Sequence, residues 1–509
     1  VFLGYSIVGS VTRAELPPII GVIHADTPNV LFGVDIAPIM RQGYNHSDLL
    51  IGNGRFSNYL YRGGANFDTM PFLRFDSCNR SFMGSIGDIN ADSYDDFGML
   101  GRSSYGWKYN VFDGGNVLDT LRDFWFGLDT FTAQGPATIC HSLLGDGREI
   151  LVSPGQANFR MAIMLFATGT AADSSPILIL RPYLVPPIQA GSFAQDIAIG
   201  DYNGDGISDI AAGFPMRESA LRPGEVWLYF GGHGFDTIPD LIIRRSGPFE
   251  IGQQVFGVSV ECPGDLNGDG FSDLIVGGSL TDTNAFVYFG GQSIDTIPDI
   301  VLFQDPEIIR WAGDVSGDGY PDFIVSTPLP FSSGNRVQIY YGGPAMDGNP
   351  DLTIWDWEIP GYHTLFGAGC TGVGDFNGDG SQDFAFFLFD NLHNGQVYIF
   401  SGQKPTDVPF SHDPALPSGF TLRQNYPNPF NPSTTIECEL AKPSRVTLEI
   451  YNSLGQQVRT LVDRPLSVGV HRVQWDGRDD QGNTMSSGVY LYRLVAGYFS
   501  QERKMVLVR

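Results

Sequence analysis

Residues Asp265 to Asp273 read DLNGDGFSD, and they place carboxylate or amide oxygens at positions 1, 3, 5 and 9 of one short loop. A hard divalent cation wants that donor set, because calcium takes six to eight oxygens in flexible geometry at roughly 2.3–2.6 Å. The glycines let the chain curl tightly, since they accept positive φ without a Cβ clash. The pattern recurs at Asp201–Asp209 (DYNGDGISD), at Asp375–Asp383 (DFNGDGSQD) and at Asp314–Asp322 (DVSGDGYPD), with a looser copy at Asp88–Asp96 (DINADSYDD). The predicted calcium ligands are therefore Asp88, Asn90, Asp92 and Asp96; Asp201, Asn203, Asp205 and Asp209; Asp265, Asn267, Asp269 and Asp273; Asp314, Ser316, Asp318 and Asp322; and Asp375, Asn377, Asp379 and Asp383.

Two other readings of these loops are available. An EF-hand or dockerin needs flanking helices and a bidentate Glu at position 12, whereas position 12 is Ala212, Val276, Val325 or Phe386, each inside an apolar run. A turn rich in Asx residues without metal is the other alternative.

Working outward, the last acid of each loop is a ruler. Asp48, Asp96, Glu149, Asp209, Asp273, Asp322 and Asp383 are spaced by 48, 53, 60, 64, 49 and 61 residues, and each precedes a short apolar run such as IAAG, LIVG or FIVS. Each of the seven units then has a second strand ending in an aromatic and glycine turn, as in LYFGG at Phe230, VYFGG at Phe289 and IYYGG at Tyr341. Six continue into an outer strand, clearest in Asp236–Ile243, Asp295–Leu302 and Asp347–Ile354, and the seventh lacks one. A repeat of this length with four short strands is a β-propeller blade, which cannot bury both faces alone and must stack on neighbours. The N-terminal ELPPIIG (Glu15–Gly21) resembles the outer-strand sequence and is expected to pair with Val397–Phe400, completing the last blade and closing the ring.

The composition agrees with an all-β chain: 64 Gly and 33 Pro stand among 37 Phe and 21 Tyr in 509 residues. A net charge of −26 argues against nucleic-acid binding. The five loops hold fifteen Asp at positions 1, 5 and 9, and five calcium ions would offset ten of those charges. Five scattered cysteines, with Cys140, Cys262 and Cys370 each shortly before a loop position, read as small buried side chains on equivalent strands rather than as disulfides. No run approaches the roughly 18 apolar residues of a transmembrane segment. The opening VFLGYSIVGS reads equally as the remnant of a secretory signal or as a truncated reading frame.

The Phe-Gly pairs before the loops (Phe32-Gly33, Phe256-Gly257, Phe366-Gly367), the DxNGDGxxD loop and the following Tyr-Phe-Gly-Gly together resemble the FG-GAP repeat of integrin α-subunit propellers and their bacterial relatives, over residues 15 to about 403. The resemblance implies a seven-bladed propeller with calcium in hairpin loops on one face, and a role in adhesion or ligand binding. Two units depart from it. Met40–Asp48 has lost its early acids and Gly145–Glu149 is shortened, so neither is expected to hold an ion.

Residues 404–418 read as a Pro-rich linker. Beyond it, alternating runs at 446–451, 457–462, 471–475, 489–495 and 502–508 indicate a small Ig-like β-sandwich over 419–509. YPNPFNPST (Tyr426–Thr434) and SSGVYLYRL (Ser486–Leu494) resemble the C-terminal type A sorting domain of type IX secretion cargo, akin to the immunoglobulin-like domain of flagellar hook-cap proteins. That resemblance implies export by the type IX secretion machinery to the outside or outer surface of a Gram-negative bacterium. An accessory sandwich without a sorting role is the alternative.

No HExxH, GxSxG, paired-Cys zinc spacing or GxxxxGK[ST] occurs, and GAGCTG (Gly367–Gly372) precedes an acidic loop rather than a helix. Three functions stay open: a calcium-stabilised surface or secreted binding protein with a protein or glycan ligand, a lectin, and an enzyme with its site at the central mouth of the ring. The last would need clustered polar groups with perturbed pKa values there.

Overall fold

A computed structural model describes residues 16–403 and 421–509, apart from positions 26–31, 34, 41–45, 54–56, 77, 89, 91–93, 104–105, 116–117, 119, 121–123, 127–130, 134–137, 146–148, 158–159, 169–175, 182–192, 195, 216–223, 245–255, 279–283, 293, 303–307, 328–334, 360–364, 390–393, 441–443, 453–455, 467–468 and 497–498. The linker expected at 404–418 lies outside the described residues. Among them the only helical element is a 3-10 turn at Asp356–Glu358, so no helix flanks an acidic loop and the EF-hand reading falls.

Seven antiparallel sheets follow the period of the sequence. Blade 4 is representative: Ile197–Gly200, Asp209–Phe214, Glu225–Tyr229 and Leu241–Arg244 hydrogen-bond in chain order. Its second strand is buried at all six positions. Such a strand has no solvent face, because neighbouring blades cover both sides, and this explains apolar runs in place of alternation. The hydrophobic clusters lie in the seams between blades. One joins Trp227 and Tyr229 of blade 4 to Ile150 and Leu165 of blade 3, and another joins Ile339 of blade 6 to Phe386 and Phe400 of blade 7.

Blade 3 departs from the pattern. Two short strands, Phe131–Ala133 and Thr138–His141, share one long partner, Glu149–Ala157, so the sheet has five strands.

The N-terminal segment pairs with the strand expected of it, but its ladder begins later than expected. Ile19–His24 pairs antiparallel with Gly395–Phe400, Ile23 opposite Val397 and Ile19 opposite Phe400. The strand starts later than the predicted Glu15–Gly21 because Pro17 and Pro18 carry no N–H for the ladder; Pro18 still accepts from Ser401 N–H at 3.0 Å. The outer strands also begin later than the sequence suggested. Asp236 and Asp295 cap turns, each accepting the N–H two residues on at 2.6 Å, and the ladders start at Leu241 and Ile300.

The C-terminal unit is a sandwich of two sheets. One orders Thr421–Leu422, Thr434–Leu440 and Gly469–Trp475; the other orders Gln457–Leu466, Ser444–Asn452, Gly488–Ala496 and Phe499–Leu507. Residues of the Tyr426–Thr434 motif are structural. Phe430 is buried with its ring 5.6 Å from that of Trp475, and Asn425 Nδ2 donates to Thr434 Oγ1 at 2.8 Å and to the Pro427 carbonyl at 3.1 Å.

The closing strand is tested by Ile23→Ala, which is expected to destabilise the propeller by about 2–5 kcal/mol through the cavity left in the seam between blades 7 and 1. Urea denaturation followed by tryptophan fluorescence measures it; a midpoint equal to wild type would show that the ring is closed elsewhere.

Candidate functional site

Four of the acidic loops have one internal wiring, which starts from the residue types. In Asp201–Asp209, Asp201 Oδ1 accepts the N–H groups of Gly204 and Asp205 at 2.7 and 3.1 Å, and Oδ2 accepts that of Gly206 at 2.8 Å. Asn203 Oδ1 accepts from Asp205 N–H at 2.9 Å, and Asp205 Oδ1 from Ile207 N–H at 2.9 Å. Asp265 and Asp375 repeat the first set within 0.2 Å. The curl needs left-handed backbone at Gly204 (φ 76°) and Gly206 (φ 81°), which glycine adopts without strain. In the Asp314 loop, Ser316 departs: its hydroxyl donates to Asp314 Oδ1 at 3.2 Å instead of accepting from a backbone amide.

Position 9 has a second role that the sequence reading did not assign. Asp209 Oδ2 accepts Tyr202 N–H at 2.9 Å while Oδ1 accepts Gly231 N–H, at the end of the third strand, at 2.8 Å. Asp273, Asp322 and Asp383 do the same toward Gly290 (2.8 Å), Gly342 (2.9 Å) and Gly402 (3.2 Å). So do Asp96 toward Gly114 (3.0 Å) and Asp48 toward Gly63 (3.1 Å). Each of these carboxylates is buried. Asp48 keeps the bond although its loop lacks the earlier acids, so position 9 pins the second strand to the third whether or not the rest of the motif is present.

Position 2 was also passed over, and its signal was visible: it is Tyr202, Leu266, Val315 or Phe376, always apolar. These side chains are buried in successive seams. Their carbonyls accept from the next blade: Tyr202 from Gly291 N–H (2.9 Å), Leu266 from Gly343 (2.6 Å), Val315 from Gln403 (2.8 Å) and Phe376 from Gly64 (2.6 Å). The first glycine of each aromatic-Gly-Gly turn is enforced by this closeness. A methyl group at Gly342 would lie 2.3 Å from the Pro321 carbonyl oxygen and 3.0 Å from that of Leu266.

Charge accumulates where these bonds meet. Burial, opposed by the two amide bonds, pushes the Asp209 carboxyl up to about 7, and Asp205 and Asp201 push in the same direction. Asp273 and Asp322 are pushed up to about 7 for the same reasons, by burial first and then by the loop acids at positions 5 and 1. Asp383 also reaches about 7, with burial the largest cause and Asp379 adding to it. The loop acids are thus brought within electrostatic reach of one another. Their oxygens turn onto backbone amides, and among the described residues no three His, Cys, Asp or Glu side chains converge on one metal-sized point. In the fifth loop Asp88, Asn90 and Asp96 are described, and Asp92 lies outside the described residues. Four of the five cysteines, Cys140, Cys262, Cys370 and Cys438, are free thiols, the first three on first strands of blades 3, 5 and 7.

A second polar cluster joins three blades at their first strands, which lie side by side around the ring. Arg310 of blade 6 reaches Asp196, just before the first strand of blade 4, at 3.3 Å, and Glu261 of blade 5 at 3.8 Å. Burial pushes the Glu261 carboxyl up to about 7, with Arg310 opposing and Asp196 adding to the rise. The guanidinium already holds two carboxylates, so the cluster reads as a ring tie rather than as reactive groups.

Two outcomes follow. Asp48→Ala strands the Gly63 amide and is expected to cost about 1–3 kcal/mol, equally with and without chelator, in urea denaturation; a loss seen only with calcium present would contradict the structural role. For Glu261, the folded state holds the proton more tightly than the unfolded chain, so its ionisation removes stability as pH rises from the unfolded value near 4.5 through about 7. Glu261→Gln is therefore expected to gain on wild type across that window, and a pH-independent difference in urea midpoints would refute the assignment.

Comparison with known proteins agrees with this architecture in both parts. The FG-GAP repeat family matches residues 193–229, spanning the Asp201 loop and both strands it joins, and the FlgD Ig-like domain matches residues 430–498. Integrin alpha-5 of Xenopus laevis is 30% identical over 221 residues, which is 40% of this chain and 20% of that protein. Integrin alpha-7 of Rattus norvegicus is 31% identical over 154 residues, covering 29% of this chain and 13% of that one. Integrin alpha-6 of Homo sapiens is 34% identical over 119 residues, covering 22% and 10%. The chain thus spans a fifth or less of the length of these curated relatives. The propeller is thus similar to integrin α FG-GAP repeats, and the C-terminal sandwich is similar to the FlgD Ig-like domain.

Proposed function

We propose that the protein is a calcium-stabilised extracellular binding or adhesion module, carried out of the cell by its C-terminal domain. The observation that carries the calcium reading is the four-fold recurrence of an all-oxygen loop whose backbone amides are already committed to its own side chains. Asp201, Asn203, Asp205 and Asp209 would hold one ion, with the corresponding residues at Asp265, Asp314, Asp375 and Asp88 holding the others. A position-9 carboxylate raised by burial, with the acids at positions 5 and 1 adding to the rise, suits a hard divalent cation, whose charge would offset both. The loops are tied across seams, so the ions would stabilise the ring rather than act in chemistry.

Integrin-like FG-GAP repeats support binding over catalysis, as does the commitment of Arg310, Asp196 and Glu261 to one another. An outer-surface or secreted location in a Gram-negative bacterium, reached through type IX export, rests on the likeness of Tyr426–Thr434 and Ser486–Leu494 to sorting domains. No helix among the described residues is long and apolar enough to cross a membrane.

At millimolar calcium each site is expected to add about 1 kcal/mol, for dissociation constants of about 10⁻⁴–10⁻³ M. Thermal melts with 2 mM CaCl₂ (about four times a mid-range constant) and with EGTA test this, with Asp265→Ala as the single-site control. The melting temperature should fall with EGTA and the variant should lose part of the calcium response; melts that coincide would refute the metal assignment.

A further inference from the structure

The repeat supplies its own baseline for finding what is added to it. At the end of the fourth strand, blade 4 places Arg244 opposite Glu225 and blade 5 places Leu302 opposite Ala285. Blade 6 places Trp355 opposite Arg336 and continues into WDWE. Its 3-10 turn, Asp356–Glu358, stacks Trp357 on Trp355 with ring centres 4.5 Å apart and planes 15° from parallel. Trp357 is 60% exposed, whereas Trp227 and Trp475 are buried. A core explanation therefore fails for it.

The platform is rigid. Glu358 Oε2 accepts Trp355 N–H at 2.8 Å, the Asn335 carbonyl accepts Asp356 N–H at 3.1 Å, and the Arg336 guanidinium lies 5.5 Å from the centre of the Trp355 ring. Asp351, on the same edge, is fixed by accepting Tyr341 N–H at 2.8 Å. Asp351, Trp355, Trp357 and Glu358, together with Leu16, Leu352 and Thr353, line a pocket of about 270 Å³. That is below the roughly 300 Å³ at which drug-sized sites begin, which leaves room for one ring.

We infer that this pocket is a saccharide-binding site in which a pyranose ring lies on Trp357 and donates hydroxyls toward the Asp351 and Glu358 carboxylates and Thr353. Two stacked indoles give one flat apolar face, which matches the C–H face of a sugar. A cage for an organic cation would need aromatic walls at an angle to each other, and the 15° stacking supplies none. A neutral polyol also meets no repulsion from a chain of net charge −26, as an acidic glycan or peptide would. The inference rests on the binding reading above for its setting, and its residues are separate from the calcium loops.

The full chain is titrated with methyl β-D-glucopyranoside, N-acetylglucosamine and choline chloride, followed by tryptophan fluorescence and saturation-transfer NMR, and then screened on an array of neutral glycans. A saturable response to at least one sugar is expected, weakened about tenfold or more in Trp357→Ala and partly kept in Trp357→Phe. Both variants should keep the wild-type melting temperature, since the ring is exposed. Failure of every sugar to bind, binding that survives Trp357→Ala, or a response to choline alone would each overturn the inference. Asp265→Ala separates the two readings: it should blunt the calcium response of the melt and leave the sugar response intact.

Discussion

A buried carboxylate that accepts one amide from its own loop and one from the end of the third strand is the constraint around which blades 4 to 7 are built. Asp209, Asp273, Asp322 and Asp383 all do this, and Asp48 and Asp96 keep the bond to the third strand. Hydrogen bonds to a charged acceptor contribute about 1.5–3 kcal/mol each, but burying the charge opposes them. The rise to about 7 at the four better loops shows that desolvation is the larger effect. The carboxylates therefore set register and loop position, while the apolar seams supply most of the stability. A bound cation is what would turn the same arrangement from a cost into a gain.

The same nine residues also couple neighbours. The apolar side chain at position 2 fills a seam while its carbonyl holds the next blade's glycine turn, so one short loop ties a strand inside its blade and a turn outside it. From Phe376 to Gly64 this coupling passes from blade 7 to blade 1, beside the N-terminal strand on Gly395–Phe400. Ring closure is thus secured on both sides of the chain's own start. The tie from Arg310 to Asp196 crosses two further seams.

Much of this was readable in the chain, because period, turn chemistry and apolar runs are local. Seven units follow from spacing, and six outer strands with an N-terminal strand supplying the missing one follow from local sequence likeness. What did not show was non-local. The clamp made by position 9 was hidden, since its bonds to Gly231 or Gly290 join residues 22 or 17 apart in sequence. Pro17 and Pro18 were read as part of the closing strand although neither can donate to a ladder. The double first strand of blade 3 has no sequence marker, and nothing in the repeat pattern marks the exposure of Trp357.

The most direct test of the clamp is hydrogen exchange at the amides of Gly231, Gly290, Gly342 and Gly402, measured in calcium and again in chelator. The account predicts exchange as slow as that of the core strand Asp273–Gly277 in calcium, with all four accelerating together once the ion is removed. Rates typical of exposed turns, or protection indifferent to chelator, would contradict it.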